Sequence, residues 1–257
     1  MPNFRSIIKS EAPLLGLNVM YPSPGVVERI GPDWDWIWLD GQHGEIGYGE
    51  MLALVRACDL VERPAFVRVP GHEAGPVGLA LDMGATGVIV PCVDTPEQAQ
   101  ALVDAAKFPP LGKRSCGGRR PIDFHGRTYC DTANQDTLLV IQIETPLAID
   151  NAEAIAAIPG VDALFLGPDD ILLRRGVAMD APRTRQMLEP DMTAVARACH
   201  AHGKFAVTVA FGAEMQALVL ELGFHLMVCG SDVSFLAKAS KTASAEARTS
   251  IQAGITS

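Results

Sequence analysis

Short apolar runs alternate with stretches of helical periodicity along almost the whole chain. The apolar runs fall at 14–20, 35–39, 65–69, 86–90, 138–145, 161–166, 204–209 and 225–228. They have the length of strands, and most are apolar without alternation, as strands covered on both faces are. Between them, apolar residues recur at helical spacing over 26–30, 49–61, 76–83, 96–106, 148–158, 189–202, 213–222 and 231–251, which predicts helices. The punctuation agrees. Thr95-Pro96 offers one helix a capping side chain and a proline at its first position, and Pro159-Gly160 closes another. Eight strand-then-helix units with no break in composition predict one domain over 1–257, an α/β chain folded as a (β/α)8 TIM barrel. A doubly wound open sheet is the alternative, but no G-x-G-x-x-G follows the first strand.

The rhythm breaks once. Residues 108–136 carry prolines, glycines and the basic residues Lys113, Arg114, Arg119, Arg120 and Arg127. This predicts a long loop over one end of the barrel, and loops of that length usually carry function. The Gly117-Gly118 pair beside these arginines is a weak candidate for phosphate binding.

Composition narrows the possibilities. With 48% hydrophobic and 20% charged residues, a sizeable core is expected and disorder is not. A net charge of −9 argues against a nucleic-acid partner. No apolar run approaches the length of a membrane span, and residues 1–15 lack the apolar core of a signal peptide. Six scattered cysteines without a C-x-x-C pair predict reduced thiols in a cytoplasmic protein.

In a barrel the working residues sit where strands end. The run at 138–145 ends in Glu144 and the next ends in Asp169-Asp170. A strand–helix–strand unit makes these strands parallel neighbours, so their terminal carboxylates emerge side by side. Two such acids repel unless a cation lies between them, and a divalent metal with oxygen ligands fits. The alternative is that both are exposed and cap the following helices. Arg68 lies between Val67 and Val69 in an apolar run. Its guanidinium keeps its charge, so burial demands an anion, either a structural carboxylate or the carboxylate or enolate of a substrate. His43 follows Asp40 after the second strand; it is either structural or an acid–base group that Asp40 and Asp82 orient.

Together these residues resemble the HpcH/HpaI aldolases, metal-dependent class II pyruvate aldolases. The resemblance rests on Asp40-Gly41-Gln42-His43, Val67-Arg68-Val69-Pro70, Leu81-Asp82-Met83-Gly84-Ala85, Pro109-Pro110-Leu111-Gly112-Lys113-Arg114, Gln142-Ile143-Glu144-Thr145 and Gly167-Pro168-Asp169-Asp170. Their order and spacing span nearly the whole chain. The resemblance implies a (β/α)8 barrel assembled as a homohexamer, a trimer of dimers, with the last helix, 231–251, used between subunits. It implies that Glu144 and Asp170 hold Mg2+, Mn2+ or Co2+, with Asp169 the variable position. It places Arg68 on the pyruvyl oxygen, His43 paired with Asp82 in proton transfer near Asp40, and Gln142, Gly167, Pro168 and Asp169 around the substrate. The chain departs from the family pattern at Gln42, where Glu is usual, at Ile171-Leu172, where Leu-Ser is common, and at Ser115-Cys116, where Gly often follows the arginine.

The implied reaction is reversible cleavage of a 4-hydroxy-2-oxo acid to pyruvate, or hydroxypyruvate, and an aldehyde. A metal and Arg68 would stabilise the enolate, and His43 would take the C4 hydroxyl proton. No lysine stands at a late strand end where a Schiff base could form. Rival readings are an acyl-CoA lyase, an oxaloacetate decarboxylase, and a non-catalytic metal-binding barrel.

Overall fold

All eight predicted strands are present. They are β1 Leu14–Val19, β2 Trp36–Asp40, β3 Ala65–Arg68, β4 Gly87–Val90, β5 Leu138–Ile143, β6 Ala163–Leu166, β7 Phe205–Val209 and β8 Leu226–Ser231 in a computed structural model that describes residues 4–8 and 12–255. Each is parallel to the next, and β8 pairs back onto β1. The sheet is therefore closed into a (β/α)8 barrel.

The side-chain period of two divides each strand between two cores. On β2, Ile37 and Leu39 face the surrounding helices, while Trp36 and Trp38 face the barrel interior. On β3, Ala65 and Val67 face out and Phe66 faces in. The interior is filled by rings in edge contact: Trp36 with Phe66 at 5.1 Å between centroids, and Trp38 with Phe165 at 5.3 Å. Small residues make the room. A Cβ at Gly16 would overlap the Trp36 ring, and one at Gly87 the Phe66 ring. Phe4, from a short helix (Phe4–Ile7) absent from the sequence-based expectation, and Ile8 just after it join the inner cluster and plug the barrel.

The helix Pro96–Ala106 begins as expected. Thr95 Oγ1 accepts from the Gln98 backbone N–H, and Gln98 Oε1 accepts from the Thr95 N–H, a complete capping box. The single helix expected over 148–158 is two, Pro146–Asp150 and Ala152–Ala156. Asn151 between them donates its side-chain amide to the Asp94 carbonyl at 2.7 Å.

The long loop expected over 108–136 is largely helical, with helices at Arg119–His125 and Tyr129–Asp136. Gly118 and Gly126, read as loop residues, punctuate the first helix at positive φ of 84° and 73°. Phe108, Tyr129 and Ala133 form a small core of their own. This excursion follows a helix and precedes β5, so it lies at the N-terminal ends of the strands. The arginines beside Gly117-Gly118 are engaged: Arg119 with Asp123, and Arg120 with Asp59.

The final helix, Asp232–Ile255, meets the barrel at its first turn, where Phe235 also stacks on Trp34 with ring centroids 5.9 Å apart. Asp232 is buried and its carboxylate accepts from the backbone N–H groups of Met20, Tyr21 and Val233. Phe235, Leu236, Ile251 and Ile255 are exposed. Among the described residues, no helix is long and apolar enough to cross a membrane.

Candidate active site

The inward rows that carry the aromatic core end in polar side chains at the C-terminal mouth of the barrel. On β2 the row runs Trp36, Trp38, Asp40; on β3, Phe66, Arg68; on β5, Leu138, Val140, Gln142, with Glu144 just beyond the strand. Asp40 and Arg68 are register partners. Arg68 donates from Nε to Asp40 Oδ1 at 2.9 Å and from Nη2 to Oδ2 at 2.5 Å, and both residues are buried. Two parallel bonds hold the guanidinium plane, which lies 4.6 Å over the Trp38 ring. Of the two partners expected for Arg68, the structural carboxylate is therefore present. Its Nη1 makes no hydrogen bond to the described residues, and Arg68 also lines a cavity. Asp40 Oδ1 further accepts from the backbone N–H groups of Gln42 and His43, fixing the turn that presents the exposed His43.

Glu144 is 2% exposed. Its Oε1 accepts from the Cys92 N–H at 2.7 Å and its Oε2 from Gln142 Nε2 at 2.6 Å. Burial pushes its pKa above the ordinary carboxylate value, and the charge of Asp170 pushes the same way, while the bonds from Cys92 oppose. Cys92 holds a positive φ of 58°, unusual for a non-glycine residue and characteristic of functional sites. Its thiol is pushed up to about 11 by burial and by Glu144, which argues against a thiolate nucleophile. Gly167 is needed beside Glu144, because a Cβ there would stand 2.9 Å from Gln142 Nε2 and 3.1 Å from Glu144 Oε2.

Asp170 lies in the first turn of the helix Pro168–Arg174, half-buried, and pairs with Arg174 at 2.7 Å. Asp169 pairs with Arg183 at 2.8 Å, and both line the same cavity. Glu144 and Asp170 supply the hard oxygen donors that Mg2+ or Mn2+ prefers. Gln142 Oε1 beside them is buried without a hydrogen-bond partner. The donor set thus fits a divalent ion. No group of three or more His, Cys, Asp or Glu residues with ligand geometry occurs among the described residues. The cavity has a volume of about 580 Å3. Trp38 and Phe165 line it beside the polar groups, and Leu188, Val209, Phe211 and Met215 form an apolar wall.

A family model for HpcH/HpaI aldolase/citrate lyase matches residues 26–239. The chain belongs to that family. It is 39% identical over 178 residues to a 4-hydroxy-2-oxovalerate aldolase of Novosphingobium aromaticivorans, covering 68% of each chain. It is 34% identical to a hydroxypyruvate/pyruvate aldolase of Chromohalobacter salexigens, covering 80% of this chain and 82% of the relative. A solved HpcH/HpaI aldolase/citrate lyase family protein from Burkholderia cenocepacia superposes with a TM-score of 0.84 at 30% identity, covering 95% and 98% of the two chains. Family and relatives together make this HpcH/HpaI chain a lyase.

The site brings together Asp40, His43, Arg68, Gln142, Glu144, Gly167, Pro168, Asp169 and Asp170 around one mouth. It does not bring Asp82. That residue ends the helix Ala74–Asp82, accepts from Arg114 Nη2 at 2.7 Å and packs against Gly118. The expected His43–Asp82 pair is absent within the chain, and the His43 ring has no hydrogen-bond partner among the described residues. The reason is direction. A helix leaving β3 runs back down the barrel, so its last residue lies at the opposite end from His43. Sequence reading also missed Trp38, Cys92, Arg174 and Arg183. Trp38 was findable, being two residues before Asp40 and so on the same face; the other three carry no such period.

Proposed function

We propose that this enzyme is a class II aldolase that reversibly cleaves a 4-hydroxy-2-oxo acid to an aldehyde and pyruvate, or a close 2-oxo acid such as hydroxypyruvate. The observation that carries the reading is that Arg68, Gln142 and Asp170 line one cavity, with Glu144 bonded directly behind Gln142. The activities named for the aldolase relatives support both 2-oxo acids. Glu144 and Asp170 would hold a divalent ion, Mg2+, Mn2+ or Co2+. Such an ion supplies a Lewis acid that stabilises an enolate's negative charge.

The chain's own groups do the rest. Arg68 is held rigid by Asp40 and offers Nη1 to the developing enolate oxygen. Gln142 keeps the Glu144 carboxylate oriented through its Nε2. Trp38 Nε1, buried without a partner, is available to a substrate carboxylate. His43, on the turn fixed by Asp40, takes the proton of the C4 hydroxyl. The aldehyde portion lies against Leu188, Val209, Phe211 and Met215.

The test needs no knowledge of the aldehyde. Pyruvate incubated with the enzyme in deuterium oxide should exchange its methyl protons when Mg2+ or Mn2+ is added, followed by NMR. A screen of aldehydes with pyruvate or hydroxypyruvate should then yield aldol products. No exchange and no product with any divalent ion would sink the proposal. Faster carbon dioxide release from oxaloacetate would make the enzyme a decarboxylase, and coenzyme A release from acyl-CoA thioesters would make it the related lyase.

The exposed apolar residues of the helix Asp232–Ile255 support a homo-oligomer, with a hexamer expected. Truncation before Ser231 should give a smaller species by analytical ultracentrifugation; a monomeric full-length protein would count against this.

A further inference from the structure

The excursion over 108–136 brings together two thiols. Cys116 Sγ and Cys130 Sγ stand 3.1 Å apart, with Cys116 exposed and Cys130 partly so. Nothing in the aldolase reading uses them, and they lie at the end of the barrel away from the cavity. The backbone on both sides is anchored. The Tyr129 hydroxyl, one residue before Cys130, donates to the carbonyl of Gly117, one residue after Cys116. Tyr129 packs edge-on against Phe108 at 5.7 Å. Phe108 in turn exchanges two hydrogen bonds with the Asn134 side chain, its N–H donating at 2.8 Å and its carbonyl accepting at 2.9 Å. Arg114, two residues before Cys116, is held by Asp82. The sulfurs are thus placed by four separate contacts.

We propose that Cys116 and Cys130 form a reversible intramolecular disulfide on exposure to a hydroperoxide. A bonded pair stands at about 2.0 Å, so about 1 Å of side-chain movement closes the gap. Cys116, the exposed sulfur, attacks as its thiolate. The O–O bond of hydrogen peroxide breaks, hydroxide leaves and takes up a proton, and Cys116 becomes a sulfenic acid. Cys130 then attacks that sulfur; the S–S bond forms, the S–O bond breaks and a second water leaves. Two thiols lose two electrons and two protons, and one peroxide becomes two waters. Burial, and next its hydrogen bond to Cys116, raise the Cys130 thiol, which suits it to the second role. The other four cysteines have no such neighbour. Cys58 and Cys199 are buried with thiols pushed up by desolvation, and those of Cys92 and Cys229 are raised as well.

The chain carries its own assay. Trypsin cuts after Arg114, Arg119, Arg127 and Arg174 but not between Arg120 and Pro121, so Cys116 and Cys130 fall in separate peptides, 115–119 and 128–174. The folded, reduced protein is treated with hydrogen peroxide, alkylated, digested without reductant and analysed by mass spectrometry. The expected result is peptide 115–119 disulfide-linked to 128–174, with two of the six thiols lost per chain and both restored by dithiothreitol. Cys116→Ser should abolish the link and keep Cys130 alkylatable. Recovery of 115–119 as a sulfinic or sulfonic acid beside an intact Cys130 thiol would overturn the proposal. So would a link from Cys116 to Cys116 of a second chain, or both thiols remaining free.

Discussion

Both ends of the barrel bury a charge pair, and the two are finished differently. At the N-terminal end, Asp162 accepts from Lys107 at 2.7 Å, from Arg5 at 2.6 Å and from the Leu139 N–H. Lys107 spends a further bond on the Thr137 carbonyl. At the C-terminal mouth, Asp40 and Arg68 are bound as tightly, but polar atoms around them are not. Asn18 Nδ2, Trp38 Nε1, Gln42 Oε1 and Gln142 Oε1 are buried without partners. Each such atom costs about 1–3 kcal/mol; the two others among the described residues, Arg63 Nε and Arg114 Nε, belong to guanidinium groups bonded through another nitrogen. A closed network of buried charge locks strands together. An open one of the same residue types is poised to bind.

The strongest test of that contrast is to remove one cation from each end. Arg68→Ala should slow pyruvate methyl exchange roughly a hundredfold or more, the scale of deleting one oxyanion donor. Lys107→Met, at the closed end, should leave exchange per folded molecule at the wild-type rate. Wild-type exchange by Arg68→Ala with metal bound would make Arg68 a purely structural partner of Asp40.

Stability should respond in the opposite way. Asp162→Asn strands the buried Lys107 ammonium, whose pKa burial already lowers. Breaking a buried pair on one side costs about 3–5 kcal/mol, readable by urea denaturation. A loss near zero would show that Arg5 and Lys107 tolerate a neutral partner, and that the closed end is less closed than its hydrogen bonds indicate.

Glu144 gives a prediction with a definite sign. Its folded pKa is raised, so the folded state favours its protonated form, and the stability gained from that form is lost as pH rises through the folded pKa. Without divalent ions, the wild type should lose thermal stability relative to Glu144→Gln as pH climbs from the ordinary carboxylate range toward neutrality. Below that range the two should converge. Adding Mn2+ at neutral pH should raise the melting temperature of the wild type and not of the variant. A variant that still gains stability from Mn2+ would remove Glu144 from the ion site.

The smallest effect is expected at Arg174, which occupies Asp170. A pair this exposed is worth about 0–1 kcal/mol, so Arg174→Ala should tighten Mn2+ binding by at most about fivefold. Electron paramagnetic resonance of free Mn2+ measures this directly. Weaker binding would mean that Arg174 orients Asp170 and does not compete for it.

The barrel was legible because its evidence is repetitive: eight apolar runs, each followed by a helical period, leave few topologies. The inner polar row was legible for the same reason, since Arg68 interrupts an apolar strand. That Asp82 lies at the far end of its own barrel from His43 was not legible, because a motif gives order along the chain but not direction along the barrel axis. The helices of the 108–136 excursion were hidden by their own punctuation, as Gly118 and Gly126 read as loop. Arg174 and Asp170 sit four apart on one helix, a relation visible only once that helix is known to begin at Pro168.

The mouth draws its two kinds of wall from different lengths of chain. Asp40, Arg68 and Gln142 come from β2, β3 and β5, and Glu144 from just after β5. Leu188, Val209, Phe211 and Met215 come from β7, the loop after it and the helices on either side. Under the aldolase reading, bond-breaking chemistry and choice of partner are therefore inherited on separate segments. Drift at the late segment can change what is accepted without touching the ion pair that holds Arg68. A descendant of this chain has a short mutational route to a new carbon skeleton and a long one to a new reaction.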